Sequence, residues 1–420
     1  MNFGKEILKY KNELLADLKT LMEIESVYAE NPGECERALG FMLKRAADFG
    51  LVTKNIKNKA GHAQLGEGGR LCGVLTHLDV VPAGKHWTVE PFTLTRKDGR
   101  LYGRGIDDDK GASMVDLYCL RALKESGIKG KNTLRAIFGT DEEVGMSDME
   151  TYFSSEELPE ISFTPDSDYG ICCAEKGILQ LKISGGKCLD GVEGVTSGNA
   201  LNAVPDEGSA ELANGEVVTA KGKAAHACEP ELGENAAVKL LKMLNTDSPL
   251  TLFIKEYIGE DTEGRLLSVN CEDEPSGKLS CNLGKLRINS DESYFTLDIR
   301  YPVTLSHEPI INQIKILCEK YNLKLETVHH SAPLYLPRES ETIRLLSRAY
   351  REITGSEPEL YSTGGGTYAR MLGGKGAAFG PAFKDDDVHM HNADESINEE
   401  KFFTHAQICL QAMYEMYTLE

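Results

Sequence analysis

The sequence predicts an α/β domain interrupted by an inserted α+β unit, and three observations carry the prediction. Up to about residue 177, short apolar runs of strand length alternate with amphipathic helical stretches. Beyond that point the texture changes: strand-like segments and glycines dominate, with two helical stretches at 235–244 and 308–321. From about residue 340 the first style returns. A chain of 420 residues also exceeds the usual size of one domain. The expected organisation is a discontinuous domain, 1–177 and 332–420, with an insert at 178–331. The insert reads as two-part, one sheet-and-helix pattern ending near residue 255 and another covering 278–330.

In chain order, Ile7, Leu8, Leu14, Leu15, Leu18, Leu21 and Met22 share one helical face, so 7–22 is expected as an amphipathic helix. A second helix over 34–49 stops at Gly50, the residue type favoured just past a helix end. The apolar run from Cys72 to Pro82 reads as a strand, whose period of two puts His77 and Asp79 on one face. Lys97-Asp98-Gly99 supplies turn chemistry between two short strands. Residues 110–126 read as a helix closed by Gly127, and 133–138 as a strand running into Asp141-Glu142-Glu143. A helix over 340–355, a glycine-rich turn, a strand at 377–380 and a helix from 398 complete the chain. Ligands of such sheets gather at the carboxyl ends of the strands.

Apolar residues make up 41% and charged residues 27%, which sets aside disordered and membrane classes. No apolar run reaches the length that spans a bilayer, and the N-terminus lacks a secretion signal, so a cytoplasmic protein is expected. A formal charge of -20 argues against nucleic acid and anionic membranes as partners. The 11 cysteines are scattered without a Cys-Xaa-Xaa-Cys pair and read as reduced, mostly buried thiols.

Five clusters could carry chemistry, and each has an ordinary reading beside it. His77-Leu-Asp79 suits a metal ligand and its partner, or a buried strand end with two polar residues. Asp107-Asp108-Asp109 opens a helix, as ligands or as caps that complement the helix dipole. Glu142 and Glu143 point in different directions, so one can bind metal while the other serves as a base; a solvated turn is the alternative. The last two clusters, Thr164-Pro-Asp166-Ser-Asp168 and Val388-His389-Met-His391-Asn-Ala-Asp394-Glu395, could supply further ligands or be ordinary polar loops. Together these side chains make a ligand set suited to two zinc-like divalent ions.

The sequence resembles the dinuclear zinc peptidases that include aminoacylase, carboxypeptidase G, succinyl-diaminopimelate desuccinylase and bacterial dipeptidase V. The similarity runs through nearly the whole chain, from 18–27 through the H-L-D-V-V-P-A-G stretch, G-R-G-Xaa-Xaa-D-D-K-G, T-D-E-E, T-P-D, G-K-Xaa-A-H-A, I-R-Y-P, G-G-G-T-Y and H-Xaa-Xaa-D-E. It implies a central mixed sheet flanked by helices and a lid formed by the insert. It further implies two divalent metal ions, zinc first with manganese or cobalt as alternatives, one seeing His77, Asp108 and Asp166 and the other Asp108, Glu143 and His391. Asp108 would bridge them; Asp107 stands where the family usually has a small residue. On the same resemblance Glu142 is the general base, Asp79 the carboxylate that orients His77, and His226 the lid histidine that stabilises the oxyanion. Asn202, Arg300, Gly365 and Gly366 match the substrate-contacting set, Arg300 suiting a peptide carboxylate through paired hydrogen bonds. The resemblance implies a metal-dependent dipeptidase acting on small peptides, expected as a monomer because the insert is long. A sibling deacylase or desuccinylase is the competing activity, and a metal-binding protein without catalysis the competing class. Trp87 is expected as a packing anchor without a polar task, and His329-His330 as strand or loop surface.

Overall fold

The strand Leu71–His77 lies inside a mixed sheet, and its neighbours on both sides run parallel to it. The computed structural model describes residues 2–186, 190–244 and 247–420. In spatial order the sheet contains Val52–Ile56, Ala60–Leu65, Thr133–Gly139, Leu71–His77, Ile161–Thr164 and Gly376–Ala378. The first two strands form an antiparallel edge, and the last four run parallel. Leu71–His77 is buried along nearly its whole length, as expected of a parallel strand covered on both faces. On one face the Cys72 thiol meets the carbonyl of Met416 in the helix Glu399–Thr418. On the other, Leu75 and Ile137 pack with Met149, Tyr152, Tyr368 and Leu372.

The chain divides into two compact units, one of 1–173, 336–361 and 367–420, the other of 174–335 and 362–366. The second unit thus takes in the glycine turn, which the sequence reading had left in the flanking segment. Its sheet has seven antiparallel strands in the order Val217–Lys221, Glu207–Leu212, Val192–Ser197, Ser280–Ile288, Ser293–Tyr301, Gly177–Ser184 and Lys324–Ser331. Strands from both sequence halves of the insert therefore share one sheet. Helices Ala236–Met243, Pro249–Tyr257 and Glu308–Lys320 bury Leu240, Phe253 and Ile314 in the same core as Leu181, Phe295 and Leu297.

Elsewhere the differences from expectation are local. The first helix starts as a 3-10 segment, Gly4–Tyr10, before the α-helix Lys11–Met22. Pro249–Tyr257, absent from the sequence reading, is fixed by a reciprocal capping box between Ser248 and Thr251. The ten described cysteines are free thiols, and Cys188 lies outside the described residues. Among the described residues no helix is long and apolar enough to cross a membrane.

Candidate metal centre

Three adjacent parallel strands run toward the same edge of the sheet, and each delivers part of the site. His77 is the last residue of its strand and pairs with Gly139, where a Cβ would lie 1.9 Å from the Tyr368 hydroxyl oxygen and 2.3 Å from Asp148 Oδ2. Glycine is needed there because those two side chains occupy the space a larger residue would fill. Glu142 and Glu143 follow the strand Thr133–Gly139 in a short 3-10 turn, and Asp166 follows Ile161–Thr164. Asp108 comes from the loop before the helix Lys110–Glu125, and His391 from the loop before Ser396–Asn398.

Ligand atoms of His77, Glu142 and Asp166 lie within 4.8 Å of one another, as do those of Asp108, Glu143 and His391, so each group could hold a metal ion. Asp108 faces both groups. Its Oδ1 is 2.8 Å from His77 Nε2, and its Oδ2 is 2.8 Å from His391 Nε2. His391 Nε2 also lies 3.2 Å from Glu143 Oε1, and His77 Nε2 lies 4.0 Å from Asp166 Oδ1. The five residues expected as ligands converge, with Glu142 beside His77 and Asp166 in the group where the sequence reading had set Asp108.

The residues fit divalent cations. His77 Nε2 and Asp108 Oδ1 are buried and close, yet without the alignment of a hydrogen bond, so both are poorly satisfied within the protein. Burial and neighbouring carboxylates also disfavour ionisation in the cluster. Burial first, then Asp166, pushes Glu142 well above the usual carboxylate range, and burial with Asp108 raises Glu143. For His391, burial works downward, but Asp108 and Glu143 outweigh it and lift the imidazole to about 11. His77 is likewise raised, against its burial, by Asp108 and Asp79. Crowded acids that draw protons in this way are relieved by positive charge, and imidazole with carboxylate oxygen suits zinc, manganese or cobalt.

The supporting residues are more specific than the sequence reading foresaw. The strand ends at His77, so the expected alternation does not reach Asp79. His77 Nδ1 meets the backbone carbonyl of Asp79 at 2.9 Å, closer than its carboxylate Oδ1 at 3.4 Å. The Asp79 carboxylate accepts the backbone N–H groups of Glu142 and Glu143, each at 3.1 Å. It holds the turn carrying both glutamates as well as lying beside the His77 ring. Asp109 occupies the N-cap position of its helix but makes no side-chain cap; its Oδ2 accepts the His77 backbone N–H at 3.1 Å.

Glu395 is the organiser that sequence reasoning missed. Fully buried, it accepts N–H groups from Gly105 and Asp107 at 3.0 Å and from Asp108 at 3.3 Å, and pairs with Arg104 at 2.6 Å. Hydrogen bonds to a charged acceptor contribute about 1.5–3 kcal/mol each, so this one carboxylate fixes the loop that presents Asp108. Its place in the His391-Asn-Ala-Asp394-Glu395 motif was the available signal. Trp87 does have a polar partner: its Nε1–H donates to the Ala83 carbonyl at 2.6 Å, and its ring lies under the Arg104 guanidinium at 5.3 Å.

The five remaining expected positions, Asn202, His226, Arg300, Gly365 and Gly366, all lie in the second unit. His226 forms an isolated antiparallel bridge with Ala203, and the next N–H, of Ala227, donates to the Asn202 carbonyl at 2.9 Å. Arg300 is braced by Asp298, Nε to Oδ1 at 2.5 Å and Nη2 to Oδ2 at 3.0 Å, while Nη1 donates to the Gly364 carbonyl at 2.7 Å. These bonds use three of the five guanidinium N–H groups. The Gly365 N–H donates to Thr363 Oγ1 at 3.0 Å. Gly366 closes the same turn in the second unit.

Paired imidazole and carboxylate groups at the carboxyl ends of a parallel sheet place the protein among the metal-dependent hydrolases. The sequence pattern of peptidase family M20/M25/M40 matches residues 73–415, and the chain belongs to that family. A Bacillus subtilis protein named "Putative dipeptidase YtjP" is 32% identical, over 99% of this chain and all of that protein. A Staphylococcus saprophyticus protein of similar name, SSP1012, is 30% identical over 98% of each. Human carnosine dipeptidase 1 shares the fold, with a TM-score of 0.65 at 16% identity over 99% of this chain and 98% of that one. The Saccharomyces cerevisiae di-peptidase Dug1p matches with the same TM-score at 14% identity, covering 100% of this chain and 99% of that one.

Proposed function

We propose that the protein is a dipeptidase that hydrolyses dipeptides bearing a free N-terminus, and that it uses two divalent cations, zinc first with manganese or cobalt as alternatives. The observation that carries this reading is Asp108, whose two oxygens face His77 and His391 at the same distance, 2.8 Å. A carboxylate so placed suits a bridge between two ions, held by His77 and Asp166 on one side and by Glu143 and His391 on the other. The names of the curated relatives support the dipeptide substrate.

Two bound cations would supply Lewis acidity, acidifying water and polarising the scissile carbonyl. Glu142, beside His77 and Asp166, takes a proton from the attacking water as its oxygen bonds to the carbonyl carbon. As the carbon–nitrogen bond breaks, Glu142 returns that proton to the departing amine. Asp79 fixes the Glu142 backbone and so aims its carboxylate. His226 donates a hydrogen bond to the oxyanion, and Arg300 with Asn202, Gly365 and Gly366 receives the substrate's C-terminal end. The active species is a monomer.

Glu142→Gln separates chemistry from binding: kcat falls about 10³-fold while metal content is unchanged. The substrate class is tested by giving metal-loaded protein dipeptides, their N-acetylated forms, tripeptides and N-acyl amino acids. Turnover of the free dipeptides and its loss on N-acetylation is the expected result. A preference for the acylated substrates would replace the reading with a deacylase. Sedimentation that shows a stable dimer would overturn the monomer.

A further inference from the structure

His226 sits on an exposed loop, yet one face of its ring is already committed. Nδ1 accepts the backbone N–H of Cys228 at 3.2 Å and lies 2.9 Å from Cys228 Sγ. Burial pushes the Cys228 thiol up, which keeps it an S–H donor at neutral pH. Two donors converging on Nδ1 leave that nitrogen no room for a proton of its own. A neutral imidazole has one N–H, so the proton resides on Nε2.

We infer that Cys228 is a positioning residue that fixes His226 as the Nε2–H tautomer and thereby aims a single N–H donor at the substrate. The inference rests on the proposed oxyanion role of His226, and it adds a residue that the role does not itself require. The opposite tautomer would present a lone pair to a developing negative charge, which repels it. The backbone that carries the ring is held at three further points. Val204 N–H donates to the Ala225 carbonyl, Ala227 N–H to the Asn202 carbonyl, and Glu229 N–H to the His226 carbonyl. Ser280 Oγ donates to the Ala227 carbonyl at 3.3 Å. Cys228 is itself confined, since a Cβ on Gly364 would lie 2.4 Å from the Cys228 Cβ. Gly364 in turn accepts from Arg300, so the proposed oxyanion donor and the proposed carboxylate grip are joined through Cys228 and Gly364.

The test uses the full-length metal-loaded protein labelled with ¹⁵N at its 10 histidines, with His226 assigned from the signal lost in His226→Asn. The wild type is expected to show Nδ1 as the unprotonated nitrogen. Cys228→Ala removes one of the two donors, so the two His226 nitrogen shifts should move toward each other, and kcat should fall about three- to tenfold with KM little changed. Cys228→Ser keeps a donor of similar reach and should restore both the shifts and kcat. A wild-type proton on Nδ1, or a Cys228→Ala protein with unaltered shifts and kcat, would overturn the inference. His226→Ala serves as the separate control. If it leaves kcat unchanged, the oxyanion role fails, whereas loss of kcat there with no effect of Cys228→Ala removes only the positioning role.

Discussion

His77 and His391 both approach Asp108 to 2.8 Å, yet the chain holds them in opposite ways. His77 ends a buried parallel strand, its side chain 1% exposed. Its N–H goes to Asp109, its carbonyl accepts from Ser113, and its ring meets Asp79 and, edge-on, Tyr368. His391 stands on a loop with its side chain 48% exposed and a positive φ of 61°, a conformation that costs a non-glycine residue of order 1 kcal/mol. Its neighbours are held by local bonds, Asn392 N–H to the His389 carbonyl and His389 Nδ1 near the Ala393 carbonyl. One half of the centre is therefore part of the core, and the other is a clasp tied down at Glu395. On the proposed two-metal reading, the His77 half would hold its ion the more firmly and the His391 half would be the part through which an ion is gained or lost.

The largest effect expected from this difference is in paired substitutions. His77→Ala should lower kcat/KM on the order of 10⁴-fold and abolish tight binding of both ions, whereas His391→Ala should cost less and retain one ion per chain. Elemental analysis beside steady-state kinetics measures both, and equal losses would erase the distinction. Asp79→Asn comes next. Its amide cannot accept the N–H groups of Glu142 and Glu143 at both ends, so kcat should fall about 10- to 100-fold with metal content nearly unchanged.

The smallest effect concerns the framework under the His77 half. Asp116 lies on the helix that starts beside Asp108, fully buried, and neither carboxylate oxygen has a hydrogen-bond partner among the described residues. Burial raises its folded pKa well above the ordinary value. Binding a proton more tightly when folded, Asp116 costs nothing below its unfolded pKa and increasingly destabilises the protein as pH rises from there toward its folded pKa. Asp116→Asn should therefore raise stability at pH 8 by about 1 kcal/mol or more, with the gain vanishing near pH 4 in thermal or urea unfolding.

Much of this centre is legible in the sequence because its ligands are anchored by local patterns. The apolar run before His77, the strand before Glu142 and the helix after Asp108 each place a ligand at an element's end. What escapes is set by partners far away in the chain. Glu395 looks like one more acid in a polar loop until its bonds to residues 104–108 are seen, and the Asp79 carboxylate, expected beside the His77 ring, takes a second task on the Glu142 and Glu143 backbone that no local pattern shows. The single sheet of the second unit depends on the pairing of Gly177–Ser184 with Ser293–Tyr301, more than a hundred residues on, which no local signal encodes. His329 and His330, expected on a strand or loop surface, lie on the strand Lys324–Ser331, where His329 is exposed and the half-buried His330 has its ring centroid 3.8 Å from that of His307 and meets the Tyr301 hydroxyl at 2.8 Å.

The central claim is that Asp108 joins two metal ions. Crystals of the protein loaded with zinc or manganese, measured at the metal's absorption edge, test it most directly. The account predicts two anomalous peaks about 3.5–4 Å apart, one on each side of the Asp108 carboxylate, with His77 and His391 on different peaks. A single peak shared by both histidines, or a second ion remote from Asp108, would contradict it.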